Sequence, residues 1–339
     1  MSPLSPSAAL IQWLERIAPE FHLALSTLEL ANADAGARQY WRIQTTGGTS
    51  LIIMDAQKDK ASAFSQFLKI DALFRDEAHL NAPEIYSVDS TAQFMLLSDM
   101  GKQTYLSVLN EDNAAQFMDK ATDALVAWQL ISRPNVLPEY DEATLRRELE
   151  LFPTWYVERH CGVNWNEQQQ RWWEMSTHSI LEACLAQPKV FVHRDFMPRN
   201  LMVTTPMPGI LDFQDALYGP ITYDIASLLK DAFISWGESF VLDITIRYWE
   251  KARKAGLPVN ADFGAFYRDV DFMSVQRHLK VLGIFARLHY RDGKSHYLED
   301  TPRFIEYVKK TSQRYSVLSP LARLINELTG TEVKVGYTF

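Results

Sequence analysis

The amino-acid sequence predicts an α+β protein with two lobes, a small β-rich N-terminal lobe and a larger helical C-terminal lobe. Short β-rich runs separated by turn residues dominate the first hundred residues, and apolar residues at helical spacing dominate the rest. A group of polar residues between short apolar runs interrupts the helical part near residue 195. Of the 339 residues, 47% are hydrophobic and 22% charged, so the chain can bury a large core and disorder is not expected.

The N-terminal lobe is predicted to begin with an amphipathic helix over residues 7–18, which Pro19 ends. Two β-rich runs, 40–43 and 51–54, flank the turn sequence Thr-Gly-Gly-Thr and predict a hairpin. The elements predicted after it are a helix over 61–77 and strands over 84–88 and 94–97. Together they predict an antiparallel sheet with one long helix.

The C-terminal lobe is predicted to be mostly helical. Apolar spacing predicts helices over 113–132, 141–160, 167–186, 222–255, 261–290 and 301–328. Apolar runs around residue 195 predict three short strands, over 190–192, 201–203 and 209–211. We place the N-terminal lobe at 1–98, a hinge at 99–103 and the helical lobe, with the catalytic loop and acceptor site, at 104–339.

The polar group carries the pattern H-R-D-x-x-x-x-N, and a second strand-borne Asp-Phe follows it. Together with two lobes, this pattern is typical of the protein-kinase-like bilobal fold. Asp195 has the position of the catalytic base. Asn200 and Asp212 supply oxygen ligands of the kind that Mg²⁺ on ATP phosphates prefers. The alternative is a polar turn whose Asp and Asn stabilise only their own backbone.

Other residues near the pattern are predicted to support the site. His193 is expected to brace the loop. Asp224 opens an apolar helix, where a carboxylate stabilises exposed N–H groups, and it is expected to be structural. Arg199, inside the loop, is expected to contact the acceptor or a phosphate, with a solvated arginine as the alternative.

The nucleotide side departs from the usual kinase pattern in two ways. No glycine-rich phosphate loop is present, since residues 35–37 hold one glycine, and the strand over 51–54 has Met54 where a lysine is expected. Arg38 and Arg42 share one face of the preceding strand, so either could supply the missing cation, with Lys58 and Lys60 as alternatives. A solvated polar face is the competing interpretation. ATP is expected at the hinge, with the adenine edge bound near Ser98, Asp99 and Met100.

A resemblance to known proteins narrows the class. The sequence HRDFMPRN over 193–200, with LDFQD over 211–215, resembles the aminoglycoside phosphotransferase (choline kinase-like) superfamily, whose members phosphorylate small hydroxylated molecules. A narrower resemblance, to the anomeric amino-sugar kinases of bacterial cell-wall recycling, rests on RQYWR (38–42), LELFP (149–153), DFQDALYGP (212–220) and QRHLKVLGIFARL (276–288). It implies ATP-dependent phosphorylation of the C1 hydroxyl of N-acetylmuramate and N-acetylglucosamine to the α-1-phosphate.

The same resemblance points to the helical lobe for the sugar. Glu148 and Trp155 lie on one predicted helix, and Arg277 and His278 interrupt another that is otherwise apolar. Buried polar residues need partners. A sugar hydroxyl or the lactyl carboxylate of N-acetylmuramate could be those partners, and so could internal salt bridges.

Charge and composition limit the other partners. The net charge of −8 argues against nucleic acid, and no apolar run is long enough to cross a membrane. No secretory signal is recognised, so a cytoplasmic protein is expected. Two other functions stay open: a kinase of the same fold for an aminoglycoside, choline or homoserine, and a nucleotide-binding regulatory protein without activity.

Overall fold

The computed structural model describes residues 5–32 and 38–330. These residues form two compact units. The first contains the described residues up to Val108 together with Arg199–Asp215, and the second contains Leu109–Pro198 and the described residues from Ala216 onward. The segment with Asn200 and Asp212 therefore groups with the first unit, whereas the sequence analysis assigned it to the C-terminal lobe.

The predicted fold class, α+β with a β-rich N-terminal part, is confirmed. In the described residues the strands are β1 (Leu23–Asn32), β2 (Gln39–Thr45), β3 (Ser50–Asp55), β4 (Ile85–Asp89), β5 (Phe94–Ser98), β6 (Lys189–Val192), β7 (Leu201–Met202), β8 (Gly209–Ile210) and β9 (Leu217–Pro220). The helices are α1 (Ala8–Phe21), α2 (Ala61–Ala72), α3 (Tyr105–Val108), α4 (Ala114–Leu130), α5 (Glu142–Leu149), α6 (Glu167–Leu185), α7 (Tyr223–Leu229), α8 (Glu238–Lys254), α9 (Phe263–Asp292), α10 (Thr301–Arg314) and α11 (Ser319–Leu328). Helix α2 continues into a π-helical turn, Leu73–Glu77, and a second π-helical segment, Phe152–His160, follows α5.

The first unit is built on a five-stranded antiparallel sheet in the order β1-β2-β3-β5-β4. Alternate residues of β2 are buried, so Trp41 and Ile43 pack with Trp13 of α1 while Arg42 lies on the opposite face. Strands β7 and β8 form a separate short hairpin of this unit. The predicted strand hairpin over 40–43 and 51–54 is confirmed.

The predicted end of the first helix was wrong. Helix α1 continues through Pro19 to Phe21, and it ends at His22, whose φ of 53° is left-handed. Proline lies in the last turn, so its missing N–H removes a single bond near the end of the helix. The start agrees with the prediction, since the Ser7 side chain accepts a hydrogen bond from the Leu10 N–H at 3.1 Å.

The second unit contains most of the helices and the antiparallel pair β6-β9. Its central helix is α9, which begins with Asp262 accepting from the Ala265 N–H and ends at Gly293, where φ is +71°. Much of α9 is buried on several faces. No helix among the described residues is long and apolar enough to cross a membrane.

Two long helices predicted from the sequence are broken in the structure. The predicted helix over 222–255 divides into α7 and α8, because Lys230 leaves the helical conformation at φ −118° and ψ 58°. Its ammonium binds Asp271 at 2.6 Å, and its carbonyl oxygen lies 3.1 Å from Nε2 of His278. The predicted helix over 301–328 divides into α10 and α11 at Tyr315, which is extended and donates its hydroxyl to Asp271. Both breaks depend on contacts with α9, which periodicity along the chain cannot reveal.

Candidate active site

In the first unit, Asn200 and Asp212 lie at the two ends of the β7-β8 hairpin. The pairing of Leu201 with Ile210 and a hydrogen bond from the Leu211 N–H to the Asn200 carbonyl, 3.0 Å, bring the two residues together. The Asn200 amide donates to the Asp212 carboxylate at 3.3 Å. Asp212 is exposed and has a left-handed φ of +64°, a strained conformation found often at functional positions. The two predicted metal ligands are therefore adjacent.

Phe213 holds this end of the hairpin in place. Its fully buried ring packs between Phe67, at 4.9 Å between ring centroids, and Phe74, at 5.1 Å. Both partners lie on one side of α2 and its π-helical continuation. The Gln214 amide also donates to Asp212, at 2.8 Å. The position of the Asp212 carboxylate thus depends on the packing of α2.

Tyr40 lies near the Asp212 charge, and Arg38 lies near Tyr40. Burial raises the pKa of Tyr40, Arg38 opposes this, and the negative charge of Asp212 adds to it. The Arg38 Nε donates to Asp59 at 2.8 Å, and its guanidinium lies over Phe67. Among the described residues, no hydrogen-bond acceptor meets the buried Nη1 of Arg38.

Arg42 makes a different contact. It donates to both carboxylate oxygens of Asp99, at 2.6 and 3.1 Å, in a bidentate pair. Asp99 also accepts from the Ser50 hydroxyl at 2.5 Å and from the Gly101 N–H at 2.9 Å. Burial raises the pKa of Asp99, but the bonds from Arg42 and Ser50 outweigh it and leave that pKa lowered. Arg42 therefore fixes the predicted hinge segment to β2.

The remaining predicted nucleotide residues have defined neighbours. The Ser98 hydroxyl accepts from the Glu84 N–H at 2.8 Å. Met100 lies against β8, since a Cβ added to Gly209 would be 2.8 Å from the Met100 sulfur.

Met54, at the position expected for lysine, is fully buried and pairs with Tyr40 of β2 and Met95 of β5. Residues 35–37 lie outside the described residues.

In the second unit, the catalytic loop is held by one buried carboxylate. Asp224 accepts from the His193 N–H at 2.7 Å and from the Arg194 N–H at 3.0 Å. Its complete burial raises its pKa to about 7; the two N–H groups and Arg277 lower it, and the charge of Asp195 raises it. The Asp195 N–H lies 3.2 Å from Nδ1 of His193, and Arg194 has a left-handed φ of +75°. Asp195 itself is half-buried.

Glu148, predicted to bind substrate, lies inside a polar cluster. Its carboxylate accepts from Arg194 at 2.5 Å, Lys280 at 2.9 Å and Gln276 at 3.2 Å, and the Tyr140 hydroxyl also donates to it. Burial raises the pKa of Glu148, but Lys280 and Arg194 together hold it below its ordinary value. Each of these contacts is to another residue of the protein, so Glu148 forms internal salt bridges, the alternative to substrate binding. It thereby links the predicted catalytic loop to α9.

The structure separates the other predicted acceptor residues. His278 is fully buried, stacked on Tyr307 at 4.9 Å, and burial together with Lys230 and Arg277 holds its pKa well below the ordinary value. The ring is thus in the core and not at a sugar site. Arg277 is also buried, and it lies close enough to Asp224 to lower the pKa of the Asp224 carboxyl. Trp155 and Arg199 are half-buried, Arg199 in the first unit.

Three residues of this cluster were not predicted from the sequence: Tyr140, Tyr223 and Gln276. The rings of Tyr140 and Tyr223 pack at a tilt of 56° with centroids 5.4 Å apart, and the Tyr223 hydroxyl accepts from Lys280 at 3.1 Å. One available signal was the spacing of Gln276 and Lys280, four residues apart and therefore on one face of a helix. Tyr140 and Tyr223 are far from that helix in sequence, and nothing local connects them to it.

Comparison with known proteins identifies the class. Residues 27–257 match the family described as the phosphotransferase enzyme family, and the chain belongs to that family. It is 47% identical over 332 residues to the N-acetylmuramate/N-acetylglucosamine kinase of Neisseria meningitidis serogroup B, covering 96% of this chain and 97% of the relative. It is 48% identical to the protein of the same name from Pseudomonas putida, covering 89% and 88%.

Solved structures support the fold alone, because their sequence identity is low. A choline kinase from Streptococcus pneumoniae superposes with a TM-score of 0.63 at 12% identity, covering 90% of this chain and all of the other, 100%. An aminoglycoside phosphotransferase bound to ADP gives 0.60 at 13% identity, covering 88% and 98%. The chain is a phosphotransferase of the kinase type.

Proposed function

We propose that this protein is an ATP-dependent kinase that phosphorylates N-acetylmuramate and N-acetylglucosamine. The observation that carries the proposal is near-full-length identity of 46–48% to three proteins with that name. The catalytic loop supports it, since Asp195 follows two backbone N–H groups anchored on one buried carboxylate. The acceptor atom is the C1 hydroxyl, the product is the α-1-phosphate, and the enzyme acts in the cytoplasm in cell-wall recycling.

Asp195 acts as the base. Its carboxylate orients the C1 hydroxyl and accepts its proton as the bond from oxygen to the γ-phosphorus forms and the bond to ADP breaks. A hemiacetal hydroxyl is more acidic than an ordinary alcohol, so a carboxylate suffices. The anchoring of the loop on Asp224 keeps this carboxylate in position, and positioning supplies much of the rate in phosphoryl transfer.

Asn200 and Asp212 fit a magnesium ion. Both offer oxygen atoms, which hard cations prefer, and the Asp212 carboxylate is exposed. No group of three or more His, Cys, Asp or Glu residues within 5–32 and 38–330 could form a metal cage. This agrees with a cation held by few protein ligands together with ATP phosphates. When bound, Mg²⁺ neutralises phosphate charge.

Arg38 supplies the cation that the absent lysine would provide. Both Arg38 and Asp212 are close enough to Tyr40 to shift its pKa, and the buried Nη1 of Arg38 has no acceptor within the described parts of the chain. Arg42 instead orders the hinge, where the backbone around Asp99 binds the adenine edge. Arg38, directly before β2, and Arg42, within β2, thus have separate functions.

The test is the Asp195→Asn variant. We expect phosphorylation of both sugars to fall by about 10²–10⁴-fold, because the amide cannot accept the proton. The measurements are ADP release and phosphorus NMR, which distinguishes phosphate on C1 from phosphate on C6. The matched control is Asp243→Asn, an exposed aspartate on α8, which should retain full activity. Near-normal turnover in Asp195→Asn would contradict the mechanism.

A further inference from the structure

Two segments of the second unit run side by side in register. One is α9, and the other is the end of α5 with the π-helical segment Phe152–His160. Lys280 binds Glu148 at 2.9 Å, and Tyr290 lies 3.2 Å from His160 through its hydroxyl. Between these pairs the backbones nearly touch, since a Cβ on Gly283 would lie 2.4 Å from the carbonyl carbon of Leu151.

The register places Arg287 at the level of residues 155–157, which include Trp155. The residue numbers differ by 132 for the pairs Lys280–Glu148 and Gly283–Leu151, and by 130 for Tyr290–His160. Lys280, Gly283, Arg287 and Tyr290 recur at spacings of three and four, so they share one face of α9. Arg287 and Trp155 are both half-buried, which leaves part of each accessible to a ligand.

Arg287 has an unsatisfied donor. Within the described residues, its buried Nε has no hydrogen-bond acceptor. Burial lowers the pKa of Arg287, and the charge of Arg291 lowers it further, against the opposing charge of Asp292. Arg291, one turn later, instead binds Asp292 at 2.7 Å. A buried donor without an acceptor costs free energy, and an anionic ligand would recover it.

We propose that Arg287, beside Trp155, binds the lactyl carboxylate of N-acetylmuramate and so determines the preference for this sugar over N-acetylglucosamine. The proposal rests on the proposed function and deepens it. The two sugars differ in this group, because N-acetylglucosamine carries a neutral hydroxyl in place of the lactyl ether. The indole offers an apolar surface to the sugar ring, and the guanidinium forms a fork that matches a carboxylate.

The distance from the catalytic loop suits a sugar. Arg194 of the loop and Lys280 of α9 meet on the Glu148 carboxylate. Arg287 lies seven residues beyond Lys280, which is roughly 10 Å along a helix. The proposal places the C1 of the sugar at Asp195 and its substituted side along α9, toward Arg287.

The experiment measures kcat and KM of Arg287→Gln for both sugars. We expect kcat/KM for N-acetylmuramate to fall about 10–100-fold, mainly through KM, since a charge-assisted pair is lost. The values for N-acetylglucosamine should change less than about threefold. Arg287→Lys, which keeps the charge but not the fork, should give an intermediate loss. Arg291→Gln is the matched control on the same helix and should leave the ratio between the sugars unchanged.

Equal losses for both sugars, or no loss for either, would overturn the assignment. Circular dichroism and the N-acetylglucosamine kinetics distinguish a folding defect from a lost contact, because a misfolded variant fails on both substrates. A separate readout is calorimetric binding of N-acetylmuramate, which should weaken in Arg287→Gln by a similar factor. If the unaltered protein phosphorylates neither sugar, the proposed function itself fails and this assignment fails with it.

Discussion

At the scale of single residues, two buried or half-buried carboxylates organise the predicted catalytic loop and the predicted hinge. Asp224 organises the catalytic loop through backbone N–H groups, and Asp99 orders the hinge through Arg42, Ser50 and Gly101. Each carboxylate accepts hydrogen bonds from several donors, which offsets the free-energy cost of removing it from water. The orientation of the loop and of the hinge depends on these bonds.

Arg38, directly before β2, and Arg42, within β2, should respond differently to the same substitution. Arg38→Gln should raise the KM for ATP about 10-fold or more, because its guanidinium is assigned to phosphate. It should also cost about 1 kcal/mol of stability, since the bond from its Nε to Asp59 is lost. Arg42→Gln should lower stability by about 1–3 kcal/mol, since it leaves the half-buried Asp99 without its bidentate partner. ATP kinetics and urea denaturation of both variants measure the effects. Equal effects on KM would contradict the division of functions.

Asp71 should make stability depend on pH. It is 6% exposed, its Oδ1 has no partner within the described chain, and its burial raises its pKa to about 7. A carboxyl whose pKa is higher in the folded state destabilises the fold as it ionises, from about pH 4 upward to about pH 7. Asp71→Asn should therefore be more stable than the parent at pH 8, by at most about 4 kcal/mol, and the difference should shrink toward pH 4.

Urea denaturation at several pH values tests the Asp71 prediction. The control is Asp112→Asn, an exposed aspartate whose replacement should have a small effect at every pH. A stability difference for Asp71→Asn that is the same at pH 5 and pH 8 would show that the carboxyl does not ionise in this range.

At the scale of elements, helix α9 connects the site residues of the second unit. It contributes Gln276 and Lys280 to the Glu148 cluster, and it approaches the backbone at Leu151 through Gly283. A glycine is required there because any side chain would collide with a carbonyl carbon. The packing of one helix thus sets the position of Glu148 and, through Arg194, the catalytic loop.

Gly283→Ala should destabilise the protein by about 1–3 kcal/mol or more, although alanine favours helix by about 1 kcal/mol. The added methyl group would lie 2.4 Å from the Leu151 carbonyl carbon, so the backbones must separate. Urea denaturation measures the loss. Gly47→Ala, in an exposed turn, is the control, because an added methyl group there would meet only the Thr45 hydroxyl oxygen, at 3.8 Å, and its stability should change little. Equal effects of the two changes would contradict the close packing.

At the scale of the whole molecule, the residues with proposed roles belong to two compact units. Asn200 and Asp212 belong to the unit with the sheet and Arg38, and Asp195 belongs to the helical unit. The residues proposed for metal and nucleotide are therefore parts of the same unit, while Trp155 and Arg287, proposed for the acceptor, belong to the unit of the proposed base Asp195. Binding of donor and binding of sugar can be studied separately in variants of the full chain.

Magnesium should control the effect of ATP on thermal stability. ATP with Mg²⁺ should raise Tm by a few degrees, as expected for ligand at about 100 times its Kd, whereas ATP with EDTA should raise it less. In Asp212→Asn the difference between the two conditions should largely disappear, because one of the two proposed metal ligands is removed. Differential scanning fluorimetry measures it. An equal Tm shift with and without Mg²⁺ in the parent protein would contradict the proposed metal site.

The sequence by itself determined the features that depend on neighbouring residues. Local periodicity and turn residues predict the β2-β3 hairpin and the strands β4 and β5. The motif spacing of Asp195, Asn200 and Asp212 can be read directly from the sequence, and the structure brings Asn200 and Asp212 together. The sequence also predicted the class, a kinase-type phosphotransferase, because the motif over 193–200 is short and continuous.

Tertiary structure alone decided what depends on distant residues. The bidentate pair Arg42–Asp99 joins positions 57 apart, and the Gln276–Glu148 contact joins positions 128 apart. The break at Lys230 depends on Asp271 and His278. A buried charge selects its partner by proximity in the folded chain, because the cost of burial falls only when a donor or an opposite charge is adjacent in space. That proximity does not exist in the sequence, where Glu148 and His278 were equally suited to a ligand or to the core.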